Sequence, residues 1–186
     1  MFPAIFLDRD GVLIENRADY VRDWSQVKIY PDAIKALTNS DLEGYKIVIV
    51  TNQSAVGRNI ISIETAISIN DRLVDTIRDQ AGRLDGAFLC PHDPDAGCDC
   101  RKPKPGLLLQ AAKELSLDLK RSWMVGDAWT DVQAGQAAGV RGEIIVKTGR
   151  GVDQLSMHLP KGIGNYLICE DLSQALATIL TKDGRN

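Results

Sequence analysis

The chain has 186 residues and a mass of 20.3 kDa, and hydrophobic residues make up 44% of it against 25% charged residues. A chain of this length and balance is expected to fold around a real hydrophobic core, which excludes a disordered or fibrous protein. The formal net charge is -3 and the pI is about 5.4, which argues against a protein that binds nucleic acid through a broad basic face.

The N-terminal stretch from Met1 to Asp8 lacks the features of a secretory signal. It has no basic region, and its apolar run ends at an acidic residue rather than at a small-residue cleavage site. The apolar runs elsewhere are far shorter than the ~20 residues that a membrane helix requires. We therefore expect a cytoplasmic protein with no membrane partner.

Short apolar runs alternate with longer helical patterns along the chain. The runs are bounded by polar residues or glycine, as in strands that are buried on both faces. Strands are predicted at Ala4–Leu7, 46–51, 86–89, 123–125, 143–146 and 166–169. Helices are predicted at 32–43, 62–81, 106–115, 130–138 and 171–180, and 149–164 is expected to be rich in loops. Repeated strand and helix predict an α/β fold with a mainly parallel sheet, covered by helices on both faces, as one domain over 1–186.

The predicted helix at 62–81 carries an apolar stripe that is expected to face the core. The stripe consists of Ile63, Ile67, Leu73, Val74 and Ile77.

Two carboxylates, those of Asp8 and Asp10, follow the first predicted strand. Like charges so close together are costly unless a cation or a proton stabilises them. Mg²⁺ would do so, because it prefers one or two carboxylates together with waters and phosphate oxygens. For this pair taken alone, the alternative that both side chains cap a turn and face water stays open.

Polar groups also follow other predicted strands. The run Thr51-Asn52-Gln53-Ser54 follows the second strand, Asp127 and Asp131 follow a later one, and Arg101-Lys102 stands shortly before a helix. Ligands of parallel sheets bind beyond the carboxyl ends of the strands, and backbone N–H groups at the start of a helix favour an anion. Acidic, hydroxyl and basic groups are therefore predicted to converge on one edge of the sheet.

Four ordered motifs carry a family resemblance. They are Asp8-x-Asp10-Gly-Val, Thr51-Asn52, the lysine of Arg101-Lys102-Pro103, and Gly126-Asp127-x-x-x-Asp131. Together they resemble the motifs of the haloacid dehalogenase (HAD) superfamily phosphatases and span residues 8 to 131. The resemblance implies a Rossmann-like HAD fold and a Mg²⁺-dependent phosphomonoester hydrolase that works through an aspartyl-phosphate.

The same resemblance implies roles for the carboxylates. Asp8 would be the nucleophile and a Mg²⁺ ligand, and Asp10 would be the general acid and base, with its backbone carbonyl on the metal. Asp127 would complete the metal sphere. Asp131 would act through water or orient its neighbours.

Two further groups would contact the transferred phosphoryl group. Thr51 would donate a hydrogen bond to it, and Lys102 would pair with both the phosphoryl group and Asp8. Lys104 is the alternative to Lys102.

Three of the four cysteines and one of the two histidines lie within eleven residues, a loop at about 90–100. They are Cys90, His92, Cys98 and Cys100. This set matches a tetrahedral Cys₃His zinc site, which would be structural because all four positions are filled. The alternatives are a disulfide, which a cytoplasmic setting disfavours, or thiols without a partner. Cys169, inside a predicted strand, is expected to be a core thiol.

The cysteine loop, Asp-Arg-Asp-Gly at 8–11 and Val-Thr-Asn-Gln-Ser at 50–54 narrow the resemblance to the heptose bisphosphate phosphatases. The histidinol-phosphate phosphatase domains are the nearest neighbours of this subgroup. Both groups lack a large cap domain, and the gap between the first two motifs has room only for a short segment at 16–30. The resemblance implies removal of the 7-phosphate of D-glycero-D-manno-heptose 1,7-bisphosphate, in lipopolysaccharide or other heptose-bearing glycan synthesis. Histidinol phosphate or another small sugar phosphate remains open.

Substrate contacts carry over from the subgroup to positions near the motifs. They are Asn16, Arg17, Ala18, Asp19, Tyr20, Thr51, Asn52, Gln53, Ser54, Arg101 and Lys102. Arg101 is the candidate for a second phosphate, because a guanidinium binds phosphate through two hydrogen bonds. Arg58 could assist or could be a surface arginine.

One position departs from the subgroup pattern. A lysine commonly follows the fourth-motif aspartate, and this chain has Ala128 there, which weakens the case for a bisphosphate substrate. The next residue, Trp129, is either a stacking surface for a ring or a residue packed in the core.

Two other classes of protein stay open. A metal-stabilised binding module without catalysis would not need both Asp8 and Asp10. A 3′-phosphatase of nucleic acid ends shares the HAD core, but the acidic pI and the lack of a basic stripe oppose it. The expected partner is a small phosphorylated sugar rather than nucleic acid, and the chain is expected to be a monomer.

Overall fold

The strands of the protein form one parallel sheet. A computed structural model describes residues 1–184, so the last two residues of the predicted domain, 185–186, lie outside the described residues. The strands are β1 (Ala4–Leu7), β2 (Lys46–Asn52), β3 (Gly86–Cys90), β4 (Trp123–Gly126), β5 (Gly142–Val146) and β6 (Leu167–Cys169). They lie in the order β3-β2-β1-β4-β5-β6, and every neighbouring pair is parallel.

Helices connect these strands. The α-helices of the described residues are α1 (Pro31–Leu37), α2 (Ser54–Gly57), α3 (Ile63–Asp79), α4 (Gly106–Glu114), α5 (Trp129–Ala138), α6 (Gly151–Ser156) and α7 (Leu172–Lys182). Short 3-10 helices lie at Trp24–Gln26, Ser40–Gly44, Pro94–Ala96 and Leu119–Arg121. Within residues 1–184, no helix is both long enough and apolar enough to cross a membrane.

Apolar side chains of the strands alternate between two cores, one on each face of the sheet. Ile5 and Leu7 of β1 pack with side chains of α3 and α7 on one face. Ala4 and Phe6 of the same strand pack with side chains of α4 on the other face. The predicted α/β fold, a parallel sheet with helices on both faces, is confirmed. Because only residues 8–45 separate β1 from β2, the described chain has no large cap domain there.

The prediction of one helix over 32–43 was wrong. Helix α1 ends at Leu37, and Ser40–Gly44 forms a separate 3-10 turn. The side chain of Asn39 accepts a hydrogen bond from the backbone N–H of Asp41. Such local bonds compete with the helical pattern, and apolar spacing does not reveal them.

The segment 149–164, predicted to be rich in loops, also contains the short helix α6. The predicted stripe of α3 was also wrong at one position. Leu73 and Val74 are buried, whereas the side chain of Ile67 is 45% exposed and Ala66 faces the core. The buried residues of α3 are centred on Ala66, Ile69, Leu73 and Ile77, which recur every three or four positions, and Ile67 lies at the margin of this face.

The order of the strands decides where the polar groups lie. The central strands β2, β1 and β4 are neighbours, and in their register Leu7 of β1 lies opposite Ile49 of β2 and Val125 of β4. The residues that follow these positions therefore emerge together at one edge of the sheet, although those after β1 and β4 are more than a hundred positions apart in sequence.

Candidate active site

A buried lysine joins two carboxylates at this edge of the sheet. The Nζ atom of Lys102 lies 3.1 Å from Oδ1 of Asp8 and 2.6 Å from Oδ1 of Asp131. It also donates a hydrogen bond of 2.8 Å to the carbonyl of Val50. The side chains of Lys102 and Asp131 are each 1% exposed, and that of Asp8 is 7% exposed. Both carboxylates are thus held within reach of one fixed cation in a site that water hardly enters.

Burial dominates the electrostatics of Asp8. It raises the pKa of the Asp8 carboxyl from 3.8 to about 6; Lys102 opposes the rise, and the charges of Asp131 and Asp10 add to it. Burial by itself would lower the pKa of Lys102, but the carboxylates of Asp131 and Asp8 reverse this effect and raise it. Lys102 therefore stays charged at neutral pH, although it is buried.

Asp127, directly after β4, is bound by Arg150. The backbone N–H of Arg150 donates to Oδ2 of Asp127 at 2.9 Å, Nε approaches the same oxygen at 3.3 Å, and Nη2 donates to Oδ1 at 2.9 Å. Burial raises the pKa of the Asp127 carboxyl, and the hydrogen bonds from Arg150 oppose that rise. The arginine is thus the counter-ion of a carboxylate that is completely buried.

Two glycines make room for the Asp127 carboxylate. Gly11 and Gly149 have φ values of +86° and +59°, in the left-handed region that favours glycine. A Cβ atom at Gly11 would lie 2.1 Å from Oδ2 of Asp127, and one at Gly149 would lie 2.4 Å from the same oxygen. The turn after β1 and the loop after β5 can therefore close on Asp127 only without side chains at these positions.

The three buried carboxylates form a group that could hold a metal ion. Ligand oxygens of Asp8, Asp127 and Asp131 all lie within 4.8 Å of one another. Carboxylate oxygens are the ligands of hard cations such as Mg²⁺, so the chemistry of this donor set fits that ion. The sequence-based prediction placed the carboxylates of Asp8 and Asp127 at the metal, and the structure brings them together. The side chain of Asp10 is not part of this group of carboxylates.

The carboxylate of Asp10 is held by a second polar network. Nε and Nη2 of Arg9 donate to its two oxygens at 3.1 Å each, and Nε2 of Gln53 donates to Oδ2 at 3.0 Å. Arg9 is buried and also donates to Gln53 and to Oδ1 of Asn70 on α3, each at 2.9 Å. Nε2 of Gln53 further donates to the hydroxyl of Thr51 at 2.8 Å. The orientation of Asp10 is therefore fixed by Arg9 and Gln53, which are themselves bound to Asn70 of α3 and Thr51 of β2.

The loop that carries Lys102 is attached to the end of β2. Nδ2 of Asn52 donates to the carbonyl of Lys102 at 3.0 Å, and the N–H of Lys102 donates back to Oδ1 of Asn52 at 3.1 Å. This pair of bonds involves the backbone of Lys102, so it fixes the point from which the lysine side chain enters the core.

A cleft of about 640 Å³ opens above these groups. Most of the predicted substrate contacts line it, namely Asn16, Arg17, Ala18, Tyr20, Asn52, Gln53, Ser54, Arg101 and Lys102. Asp8, Asp10, Lys104 and Arg150 line it too. Asp19 and Thr51, also predicted as substrate contacts, are not among its lining residues, and Thr51 is fully buried.

Three uncertain positions of the sequence analysis are placed by the structure. Lys104 is bound to the carboxylate of Asp99 at 2.9 Å, so Lys102 rather than Lys104 reaches Asp8. Trp129 is buried, and its indole N–H donates to the carbonyl of Gln154 at 2.8 Å, which places it in the core. Arg58 is exposed and is not among the residues that line the cleft.

The cysteine and histidine side chains of the loop after β3 also converge. Sγ of Cys100 lies 3.2 Å from that of Cys90, 3.6 Å from that of Cys98 and 3.3 Å from Nδ1 of His92. Zn–S bonds of about 2.3 Å in a tetrahedron separate two sulfurs by about 3.8 Å, close to these distances. The four side chains could therefore hold one zinc ion. Cys169 lies far along the chain and near the hydroxyl of Thr178.

Sequence reasoning missed Arg9, Asn70 and Arg150. Arg9 stands between two acidic residues, and nothing in the pattern indicates that its side chain turns inward. Arg150 follows β5 closely, so the rule that ligands bind beyond the carboxyl ends of the strands could have drawn attention to it. Asn70 lies on the buried face of α3, where a polar residue among apolar ones was the available signal.

Residues 99–175 match the family model described as HAD-hydrolase-like. D-glycero-β-D-manno-heptose-1,7-bisphosphate 7-phosphatase of Pseudomonas aeruginosa is 35% identical over 176 residues, which cover 95% of this chain and 97% of the relative. The enzyme of the same name from Photorhabdus laumondii is 38% identical, with 95% and 96% covered. The crystal structure of D,D-heptose 1,7-bisphosphate phosphatase from B. bronchiseptica, complexed with magnesium and phosphate, superposes with a TM-score of 0.87. It is 32% identical, and the match covers 97% of this chain and 99% of that one.

The raised pKa of Asp8 predicts that its ionised form destabilises the folded protein, and that this effect depends on pH. Since the pKa is about 6 in the folded protein and ordinarily 3.8, ionisation of Asp8 lowers the free energy of unfolding as the pH rises through this window. In Mg²⁺-free buffer, Asp8→Asn should therefore gain about 1–3 kcal/mol relative to wild type between pH 4 and pH 7.5. Urea unfolding at both pH values measures this gain. A difference in unfolding free energy between the two proteins that does not change with pH would contradict the raised pKa of Asp8.

Proposed function

Because the chain belongs to the family of D-glycero-β-D-manno-heptose-1,7-bisphosphate 7-phosphatases among the HAD-like hydrolases, we propose that it removes the 7-phosphate of D-glycero-β-D-manno-heptose 1,7-bisphosphate. The observation that carries this proposal is the buried Asp8 at the end of β1, paired with Lys102 and grouped with two further carboxylates below an open cleft. The names of the relatives supply the substrate and its β anomer. The residues of this chain supply the chemistry.

Asp8 and Asp127 would hold Mg²⁺, with Asp131 nearby and the backbone carbonyl of Asp10 as a further ligand. When bound, this cation would neutralise charge on the oxygens of the phosphoryl group. It would also relieve the repulsion among the three carboxylates, which Lys102 and Arg150 only partly offset.

In the first step, a carboxylate oxygen of Asp8 attacks the phosphorus atom in line with the ester bond. The P–O bond to the sugar breaks, and the departing sugar oxygen takes a proton from Asp10. The contacts of Lys102 and of the Arg9 N–H both fall on Oδ1 of Asp8 and fix the rotation of its carboxylate. Such positioning lowers the entropic cost of reaching the geometry in which Asp8 attacks the phosphorus atom.

In the second step, Asp10 takes a proton from a water molecule, which attacks the phosphorus of the aspartyl-phosphate. The bond between Asp8 and phosphorus breaks, inorganic phosphate leaves, and the carboxylate of Asp8 is restored. Arg9 and Gln53 hold Asp10 from behind, so the same carboxyl can serve both steps without turning away.

Charge stabilisation of the phosphoryl group is assigned to Lys102 and Thr51. Lys102 lies beside Asp8, and its positive charge is buried, where electrostatic interactions are stronger than in water. Thr51 is fully buried and its hydroxyl accepts from Gln53, so its own proton would be donated to the phosphoryl group.

The outer part of the cleft would bind the remainder of the sugar phosphate. Its volume of about 640 Å³ lies in the range of small-molecule sites. Arg101 is the candidate for the 1-phosphate, and its Nη1 donates to the carbonyl of His92 at 3.2 Å, which ties it to the cysteine loop. Asn16, Arg17, Ala18 and Tyr20 line the same cleft.

Zinc would be held by Cys90, His92, Cys98 and Cys100. The last of these ligands directly precedes Arg101 and Lys102 in the chain. A loop rich in proline, glycine and aspartate has little apolar surface to fix its own shape, so the ion would set the position of both cations. Its contribution would be structural.

A substrate panel tests the proposed activity. With Mg²⁺, we expect the wild-type chain to hydrolyse the heptose 1,7-bisphosphate with a higher kcat/KM than histidinol phosphate or a 3′-phosphorylated oligonucleotide, measured by phosphate release.

Asp8→Asn should lose at least about 10³-fold in kcat, because the nucleophile is gone. Asp75→Asn, an exposed position on α3, should keep wild-type activity. A folded Asp8→Asn protein with near-normal turnover would refute the role of Asp8.

Removal of one zinc ligand tests the second metal. Cys98→Ser should lower the zinc content of the purified protein from about one ion per chain, and activity should fall and not return on addition of Mg²⁺. Cys169→Ser is the matched control, because Cys169 is buried outside the cysteine loop and should leave both values unchanged. Wild-type protein that holds no zinc, has four free thiols and is fully active would overturn the zinc site.

A further inference from the structure

Arg150 occupies the carboxylate of Asp127 with three hydrogen bonds. Its backbone N–H and Nε contact Oδ2, and Nη2 contacts Oδ1. Both oxygens are thus engaged by the guanidinium, in the two-point geometry that makes arginine a strong partner of carboxylates. A divalent cation that binds Asp127 needs a lone pair of one of these oxygens, and the positive charge of the guanidinium beside both of them opposes its approach.

The two contacts of Arg150 differ in how easily they can be released. The backbone N–H is fixed by the loop after β5, where Gly149 touches Gly11 and the hydroxyl of Thr148 donates to the carbonyl of Gly11. The side chain is different, because it is 47% exposed although its partner Asp127 is fully buried. The guanidinium can therefore leave while the N–H continues to hold Oδ2.

A released guanidinium would remain in the cleft. Arg150 already lines it, together with Asp8 and Lys102. Ala128, the residue after Asp127 at the end of β4, carries no charge. Arg150 therefore supplies a positive charge on the side of the cleft formed by β4 and β5, where an anionic substrate group would find it.

We propose that Arg150 is a positioning residue with two partners: it binds Asp127 in the metal-free protein, and it moves to an anionic group of the substrate when Mg²⁺ takes its place. This inference rests on the proposed Mg²⁺ site. It means that Mg²⁺ and the phosphorylated ligand bind cooperatively, because each one favours the conformation in which the guanidinium has left Asp127. By linkage, the factor by which phosphate tightens Mg²⁺ equals the factor by which Mg²⁺ tightens phosphate.

The test measures Mg²⁺ binding by isothermal titration calorimetry, without and with saturating inorganic phosphate. Without phosphate, Arg150→Gln should bind Mg²⁺ about tenfold more tightly than wild type, because the competing cation is gone. Phosphate should tighten Mg²⁺ binding to wild type strongly and to Arg150→Gln clearly less. Arg150→Lys keeps the charge without the two-point contact, so its values should lie between the two.

Lys147→Gln is the matched control. Lys147 lies in the same loop, and its replacement by Gln removes the same charge. Its side chain pairs with Glu170 and not with Asp8, Asp127 or Asp131. It should bind Mg²⁺ like wild type, which separates the local contact of Arg150 from the general loss of a positive charge.

The outcomes distinguish this inference from the proposed function. If Arg150→Gln and Arg150→Lys bind Mg²⁺ no more tightly than wild type, or if the phosphate effect is undiminished in them, the role of Arg150 is overturned and the Mg²⁺ site stands. If neither wild type nor any variant binds Mg²⁺, the proposed function itself fails, and this inference fails with it.

Discussion

Mutual repulsion among three buried carboxylates is the constraint on which the rest of the site depends. Asp8, Asp127 and Asp131 bring ligand oxygens within 4.8 Å of one another at positions that are hardly exposed. Charges of one sign in such a place are tolerated only when cations lie beside them. Lys102 and Arg150 are those cations in the protein by itself, one buried and the other half-exposed. The site is thereby held ready for a doubly charged ion.

The fold meets this constraint with groups that are distant in sequence. The strand order places the ends of β1 and β4 side by side, and Lys102 reaches them from a loop that follows β3. That loop has two attachments, a pair of hydrogen bonds to Asn52 at the end of β2 and the cysteine cluster at 90–100. The buried lysine is therefore positioned by local contacts of its loop rather than by a regular element of its own.

Much of the fold and of the candidate site could be predicted from the sequence. The strands are short and continuously apolar, and the rule that ligands bind beyond their carboxyl ends located Asp8, Thr51 and Asp127 without any structure. The four motifs and the Cys₃His spacing were specific signals of a phosphatase site and a zinc site, because each combines several residue types in a fixed order and spacing. The comparisons confirm the family that these motifs indicated.

The remainder depends on side-chain direction and local hydrogen bonds, which spacing does not encode. Arg9 turns inward to hold Asp10, and Arg150 turns back onto Asp127, yet each would pass for a surface arginine in the sequence. The end of α1 was missed for a similar reason, since the hydrogen bond that Asn39 accepts from the N–H of Asp41 is a local contact that apolar spacing does not reveal. Patterns of polarity predict which residues come near one another, and the contacts decide which of them pair.

Covalent attachment of phosphorus to Asp8 is the central claim, and acid quenching during turnover tests it most directly. Heptose bisphosphate radiolabelled in its 7-phosphate is mixed with enzyme and Mg²⁺, quenched in acid within one turnover, and the protein is digested. We predict label on the peptide that contains Asp8 and none in the Asp8→Asn protein. Unlabelled wild-type protein, at a time when labelled phosphate is already being released, would contradict the account.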